Sequence, residues 1–295
     1  MKLKVMSFNA WGAGANEAKS IDDTVAVLSQ LDADIIGLQE HRILCPRYPG
    51  FDTSTLGPGR AQALAHELGY HVYLQDQVHE ALWANAILSR YPILSAAAND
   101  LGVVIQIEEQ RVGVFNIHPA DAPYQPYQAL GVDYSGWPRL EDEQTLIDAA
   151  QQARGFAMDR LLVEIAATPN LDAVFVTADL NEPSHLDWTE RAAELDRHPL
   201  KVAFPTTQKF EYAGFVDAYR HLFPDEVTHP GFTWSPKLRE EDALGHPDRI
   251  DYVFVKGDDT TIDSVMVAGE ASPHADISFD GWPSDHRAVL ATVAL

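Results

Sequence analysis

Asn9, Glu40, His118, Asp179, Asn181, Asp251, Asp285 and His286 share one feature of placement: each lies at or beside the end of a short apolar run. Asn9 follows the run at 5–8, Glu40 closes the run at 34–39, and His118 closes the run at 112–117. Asp179 and Asn181 follow the run at 174–177, Asp251 opens another, and Asp285 with His286 precedes the last one. If these ends converge, they make a site of oxygen and imidazole donors without thiols. Hard oxygen donors suit magnesium or manganese, and also calcium. Magnesium takes one or two carboxylates, retains waters and leaves positions for a substrate phosphate. A bound divalent ion would polarise the phosphoryl oxygen and stabilise the leaving oxygen. An aspartate beside a histidine sets the ring's orientation and charge, and an asparagine hydrogen-bonds phosphate without adding negative charge. Together these residue types describe phosphate-ester hydrolysis. Singly, each has a plainer reading. Ser284-Asp285-His286 can be an ordinary loop, Asp179 with Asn181 a turn, His118 a strand cap before Pro119, Glu40-His41 a solvated pair, and Arg249–Tyr252 a salt-bridged strand start.

The elements that must position these residues are short strands alternating with helices. Ile21, Val25, Leu28 and Leu31 recur at spacings of three and four, which predicts a helix. A second helix is expected over 60–68, and a long one over Glu143–Ala167. Strand-like runs at 84–89, 93–97, 103–107 and 112–117 read as antiparallel neighbours in a meander. Further runs lie at 249–255, 262–267 and 287–293. So many strands, with helices in two groups, imply an α+β fold of two packed mixed sheets with helices outside, in one domain over 1–295. Residues 119–142 differ, because Pro119, Pro123, Pro126 and Pro138 alternate with Tyr124, Tyr127, Tyr134 and Trp137. This predicts a long irregular aromatic loop, read as the substrate selector. Its plainer alternative is an aromatic cover over the sandwich edge.

With 295 residues, 46% hydrophobic and 22% charged, the chain can bury a core, and disorder is excluded. The formal net charge of −23 repels polyanions at long range, and Lys and Arg nowhere form a run of three. Nucleic acid is therefore disfavoured as a partner, and a small phosphorylated substrate is expected. The single cysteine, Cys45, excludes a disulfide framework or multi-cysteine metal centre and reads as a buried structural thiol. No run approaches the roughly 18–20 apolar residues of a membrane span, and the first residues lack a secretory pattern. A cytoplasmic location is the expectation, and no obligate protein partner is inferred.

Seven motifs occur in an order that resembles the endonuclease/exonuclease/phosphatase superfamily. They are Ser7-Phe8-Asn9-Ala10-Trp11, Leu38-Gln39-Glu40, Ala86 through Ile93, Asn116-Ile117-His118, Ala178-Asp179-Leu180-Asn181, Arg249 through Phe254, and Ser284-Asp285-His286-Arg287. The resemblance implies a four-layered α/β/β/α sandwich. It also implies that Glu40 binds the divalent metal with Asn9 and Asp285 beside it. Asp179 would position or deprotonate the attacking water, Asn181 would hold the phosphate, and His286, oriented by Asp251, would contact phosphate or move a proton. His118 resembles the additional histidine of the sphingomyelinase and pancreatic DNase branches, binding phosphate or protonating the leaving oxygen. Trp83 and Asn85 fall near the active face in the same resemblance. Departures are Ala178 and Leu180 where Gly and Phe are usual, Pro119 after His118, and the acidic charge.

The reading that follows is a magnesium- or manganese-dependent hydrolase of a small phosphodiester or phosphomonoester. Asp121, Tyr124, Tyr127, Tyr134 and Trp137 would line the pocket for its organic group, a sugar, polyol or lipid headgroup. The first alternative keeps the chemistry and makes the substrate DNA or RNA, as an exonuclease or abasic-site endonuclease. The second is a catalytically silent member that binds a ligand or a protein.

Overall fold

The computed structural model describes residues 1–43, 59–75, 84–134, 136–234 and 246–295; Cys45 and Trp83 lie outside these. In chain order the first half holds β1 (Lys2–Asn9), α1 (Ile21–Leu31), β2 (Ile35–Gln39), α2 (Ala61–Leu68), β3 (His71–Leu74), β4 (Ala86–Ser89), β5 (Ile93–Ala96), β6 (Gly102–Ile107), β7 (Gln110–Ile117), α3 (Gln125–Leu130) and α4 (Glu143–Ala167). The second half holds β8 (Ala173–Asp179), α5 (Glu190–Glu194), α6 (Pro205–Tyr212), β9 (Val216–Asp217), α7 (Ala218–Leu222), β10 (Asp251–Lys256), β11 (Thr261–Gly269), β12 (Ile277–Ser278) and β13 (Ala288–Ala294). The strands form a seven-stranded sheet, β12-β11-β13-β1-β2-β4-β3, and a six-stranded sheet, β5-β6-β7-β8-β10-β9.

Three apolar clusters define four layers. Leu3, Val5, Ile35, Val114, Phe175, Val253 and Val289 fill the space between the sheets. On the outer face of the first sheet, Met6, Phe8, Ile36 and Leu38 meet Val27, Leu28 and Leu31 of α1 and Leu64 of α2. On the outer face of the second, Phe115, Val176 and Phe254 meet Met158 and Leu161 of α4 and Phe210 of α6. The helix starts are written locally. Ser20 and Asp23 close a capping box on α1, and the Asp142 carboxylate accepts the Thr145 N–H at the start of α4.

The expected meander holds only in part. Strands β5, β6 and β7 pair antiparallel in sequence, but β4 pairs with β2 and β3 in the opposite sheet. The chain changes sheet across Arg90-Tyr91-Pro92, where the Arg90 N–H turns back to the Asp34 carbonyl and Pro92 offers no donor to a ladder. A second difference falls within 119–142, where residues expected to be irregular form α3.

Side chains alternate across a strand, so the inward residues of each strand follow from its first apolar pair. In β1, Leu3 and Val5 face the second sheet, and the same face then carries Ser7 and Asn9. In β8, Phe175 is followed on that face by Thr177 and Asp179; in β7, Val112 and Val114 are followed by Asn116 and then His118. The seam between the sheets thus changes from apolar to polar toward one end. Just beneath that end lies a buried polar layer. Gln39 Nε2 donates to Asn116 Oδ1 at 2.7 Å, Thr177 Oγ1 donates to the same oxygen at 3.0 Å, and Asn116 Nδ2 donates to Gln75 Oε1 at 2.9 Å.

Gly37 lets the sheets close over this layer. A Cβ there would lie 1.7 Å from Thr177 Oγ1 and 2.8 Å from Asn116 Oδ1. Gly37→Ala should therefore cost about 1–3 kcal/mol or more through overpacking, measured by urea unfolding. A variant within about 0.5 kcal/mol of the parent, the range of a neutral surface change, would show that the sheets separate without strain.

Candidate active site

Strand direction brings the predicted ends together. β1 runs parallel to β2, and β7 parallel to β8, so Asn9, Glu40, His118 and Asp179 leave their sheets at one end. β10 and β13 run antiparallel to these neighbours, which returns Asp251 and His286 to the same end through the starts of their strands. In the β8–β10 ladder Asp251 stands directly opposite Asp179. Glu40 and Asn181, each just past a strand end, adopt positive φ of 50° and 48°. Asparagine tolerates that conformation, whereas for glutamate it is a strained one of the kind that clusters at functional sites.

Asn9 is the hub. Its Nδ2 donates to Glu40 Oε1 at 3.0 Å and to Asp179 Oδ2 at 2.9 Å, and lies 3.4 Å from His286 Nε2. Its carbonyl accepts the Ser284 hydroxyl at 2.6 Å, and Ser284 Oγ in turn accepts the His286 N–H at 3.1 Å. His118 Nε2 stands 3.5 Å from Glu40 Oε1 and 3.4 Å from Asp179 Oδ2. Asp179 Oδ1 accepts the Asn181 N–H at 2.9 Å, and the Asn181 side chain donates to the Pro119 carbonyl at 3.2 Å. His286 Nδ1 pairs with Asp251 Oδ2 at 3.0 Å.

Charge in this buried cluster is distributed unevenly. Burial, reinforced by the charge of Asp285, pushes the Glu40 carboxyl up to about 8, against the opposing His286 and the Asn9 hydrogen bond. Burial alone would lower His286, but the carboxylates of Asp251 and Asp179 outweigh it and raise the imidazole to about 10. At neutral pH the His286–Asp251 pair therefore keeps its proton on the ring, and the site presents an imidazolium beside a crowd of carboxylates.

The donor set fits a divalent cation. Glu40 Oε2 is buried without a hydrogen-bond partner among the described residues, and a hard cation satisfies such an oxygen while relieving the repulsion that raises Glu40. Ligating atoms of Glu40, His118 and Asp179 lie within 4.8 Å of one another, as do those of Asp179, Asp251 and His286.

The aromatic segment is placed differently from the rest. Tyr124 and Tyr127 are buried in a small cluster with Ile250, so they pack the segment down and offer no open surface to a substrate. They meet Trp234 at ring distances of 5.4 and 5.9 Å, and Trp234 lies 6.2 Å from the His286 ring. Trp137 is 47% exposed, and Asp121 is half-buried. Arg249 follows the plainer reading of its motif. It pairs with Asp187 and Asp217, leaving Asp251 alone of that motif's charged groups to reach the site. Sequence reasoning missed Trp234 and the supporting Thr177 and Gln75. Thr177 was signalled only by its place on the β8 face, and Gln75 and Trp234 lie outside the strands, so finding them requires knowing the pairing.

Asp251→Asn should lower hydrolysis about 10²- to 10³-fold, the range of a lost group that stabilises transition-state charge, because His286 loses the partner that orients and charges it. The sign in pH is definite. Removing the carboxylate lowers the His286 pKa from about 10, so the alkaline limb of the pH–rate profile should move to lower pH. An unmoved limb would show that His286 does not act as an imidazolium.

Carboxylates, imidazoles and asparagine thus gather, buried, at one end of an α/β/β/α sandwich, and these are the donor types that phosphoester hydrolysis uses. The chain belongs to the Endonuclease/Exonuclease/phosphatase family, whose model matches residues 6–286. It is 26% identical to an uncharacterized Caenorhabditis elegans protein, F14F9.5, over 313 aligned positions, covering 98% of this chain and 90% of that one. Among solved structures, D. rerio TDP2 complexed with a single-strand DNA product matches at a TM-score of 0.59 and 17% identity, covering 100% of this chain and 99% of that chain. An AP endonuclease from Archaeoglobus fulgidus matches at 0.55 and 17% identity, covering 98% of each chain. At that identity these structures establish the fold.

They also overturn the inference that nucleic acid is disfavoured, since a sandwich matching this whole chain holds a single-strand DNA product. The net charge misled because it describes a field averaged over the surface. Screening confines each charge's influence to about 8–10 Å at physiological salt, so the charges close to the site decide, and the total of −23 does not. Among the described residues no helix is long and apolar enough to cross a membrane.

Proposed function

We propose that the chain is a magnesium- or manganese-dependent phosphodiesterase acting on DNA or RNA, at ends or single-stranded stretches. The observation that carries this reading is the Asn9-centred cluster of Glu40, Asp179 and His286 at the seam of the two sheets. Support for the substrate comes from the DNA product held by the D. rerio fold neighbour and from the Archaeoglobus fulgidus AP endonuclease.

Glu40, with Asn9 and Asp285 beside it, would hold the divalent ion, which when bound supplies Lewis-acid polarisation of the phosphoryl oxygen. Asp179 takes the proton of the attacking water, its carboxylate aimed by Asn9 and by the Asn181 N–H. Asn181 spends one amide hydrogen on the Pro119 carbonyl and keeps the other for a phosphate oxygen. The imidazolium of His286 complements the phosphate charge, and His118 delivers a proton to the leaving oxygen.

The test is cleavage of an end-labelled single-stranded oligonucleotide, with bis-p-nitrophenyl phosphate in parallel, in magnesium, in manganese and in EDTA. Metal-dependent cleavage that disappears in Asp179→Asn is the expected result. A second reading keeps the same site and makes the substrate a small organic phosphodiester. Turnover of the nitrophenyl diester with no cleavage of any oligonucleotide would select it and reject the first.

A further inference from the structure

His198, His246 and Asp248 form a second convergence of ligating atoms that shares no residue with the catalytic cluster. His198 Nδ1 lies 3.3 Å from His246 Nε2, and His246 Nε2 lies 3.6 Å from Asp248 Oδ1. The three donor atoms all fall within 4.8 Å of one another. Two nitrogens on a tetrahedral zinc ion at the usual bond length stand about 3.3–3.4 Å apart, which is the spacing of these rings. A direct N–H···N bond between the rings is the plainer account of that contact. It leaves Asp248 Oδ1, at 3.6 Å, beyond hydrogen-bond reach of the same nitrogen, so the carboxylate stands beside the imidazole pair without bonding to it.

The surroundings hold all three groups in place, as outer-shell partners do around metal ligands. Trp188 stacks on His198 with ring centroids 4.3 Å apart and meets His246 edge-on at 5.7 Å. The Trp188 indole donates to Asp248 Oδ1 at 3.0 Å, and the Tyr124 hydroxyl donates to Asp248 Oδ2 at 2.6 Å. His198 and Asp248 also border a cavity of about 360 Å³.

We infer that His198, His246 and Asp248 bind one divalent transition-metal ion, zinc by the chemistry of two imidazoles and a carboxylate, outside the catalytic centre. Magnesium prefers oxygen donors and does not compete for such a set. The ion braces Asp248, whose backbone pairs with Trp234 through N–H···O bonds of 2.6 and 3.0 Å. That pairing positions the Trp234 ring beside His286.

Metal-free protein is titrated with zinc against a chromophoric chelator, and separately with cobalt, whose four-coordinate complexes absorb far more strongly in the visible than six-coordinate ones. The parent is compared with Glu40→Gln, His198→Gln and His246→Gln. One equivalent of zinc, with a four-coordinate cobalt spectrum, should persist in Glu40→Gln and in excess magnesium. It should weaken by at least about tenfold in each histidine variant, the minimum seen when even supporting groups are lost. Far-UV circular dichroism reports whether those variants keep the fold. If His198→Gln unfolds through loss of its stack on Trp188, His246→Gln decides the matter. Zinc affinity and stoichiometry unchanged in a folded histidine variant, or no equivalent retained in Glu40→Gln, would overturn the assignment.

Discussion

Asp179→Asn should lose about 10³-fold in metal-dependent phosphodiester hydrolysis while unfolding no earlier than the parent. The substitution is isosteric: its single amide oxygen can still accept the Asn181 N–H, and Asn9 Nδ2, which loses the other oxygen, keeps Glu40 Oε1 as its acceptor. What disappears is the capacity to accept a proton from water, and lost general-base catalysis accounts for about 10²- to 10⁴-fold. Stability should hold or rise, because Asp179 is fully buried close to Glu40 and Asp251, with Asn9 and His118 bridging the carboxylates. Removing one of several neighbouring negative charges relieves repulsion, the usual trade between activity and stability at such sites. Single-turnover rates beside a thermal melt read both effects. Activity within tenfold of the parent would remove Asp179 from the role of base, and a large fall in melting temperature would make its role structural.

The second large effect lies outside the reacting atoms. Arg154 projects from α4 into the protein and is fully buried, as is Glu182, its ion-pair partner at 3.7 Å. Its guanidinium also donates to the Pro123 carbonyl at 2.9 Å and to the Gln125 side chain. Burial pushes the Glu182 carboxyl up and the Arg154 guanidinium down, so each is tolerated inside only because the other is there. Arg154→Met should therefore destabilise the protein by about 3–5 kcal/mol, the cost of leaving one buried charge without its partner. Adding Glu182→Gln should recover a substantial part of that loss, since neutral replacements of a buried pair are often well tolerated. Urea unfolding of the single and double variants measures the difference. A double variant no more stable than the single one would place Arg154's contribution in its bonds to Pro123 and Gln125, and not in the ion pair.

Much of the molecule is decided by local chemistry that can be read along the chain. The spacing of Ile21, Val25, Leu28 and Leu31 produced α1 with its predicted limits, and the pattern over Glu143–Ala167 produced α4. Alternation within β1, β7 and β8 settles which side chains share a face, so polar residues at the ends of apolar runs marked Asn9, His118 and Asp179 before any pairing was known. These features depend on backbone periods of 3.6 and 2 residues, which act over a few positions.

Tertiary structure decided what depends on strands and segments distant in sequence. Whether β4 joins β5 or β2 is settled by a change of sheet at Pro92 that strand propensity does not encode. Tyr124 and Tyr127, which read as pocket residues in a proline-rich stretch, are buried because Ile250, more than a hundred residues later, packs against them. Arg154 and Glu182 belong to different elements, and His198 meets His246 across 48 positions. Composition summed the charge correctly yet misjudged nucleic acid as a partner, because a total carries no information about where the charges stand. The convergence of Asn9, Glu40, Asp179 and His286 was legible as a possibility in their types and order. It becomes a site only through strand direction and the packing of one sheet on the other.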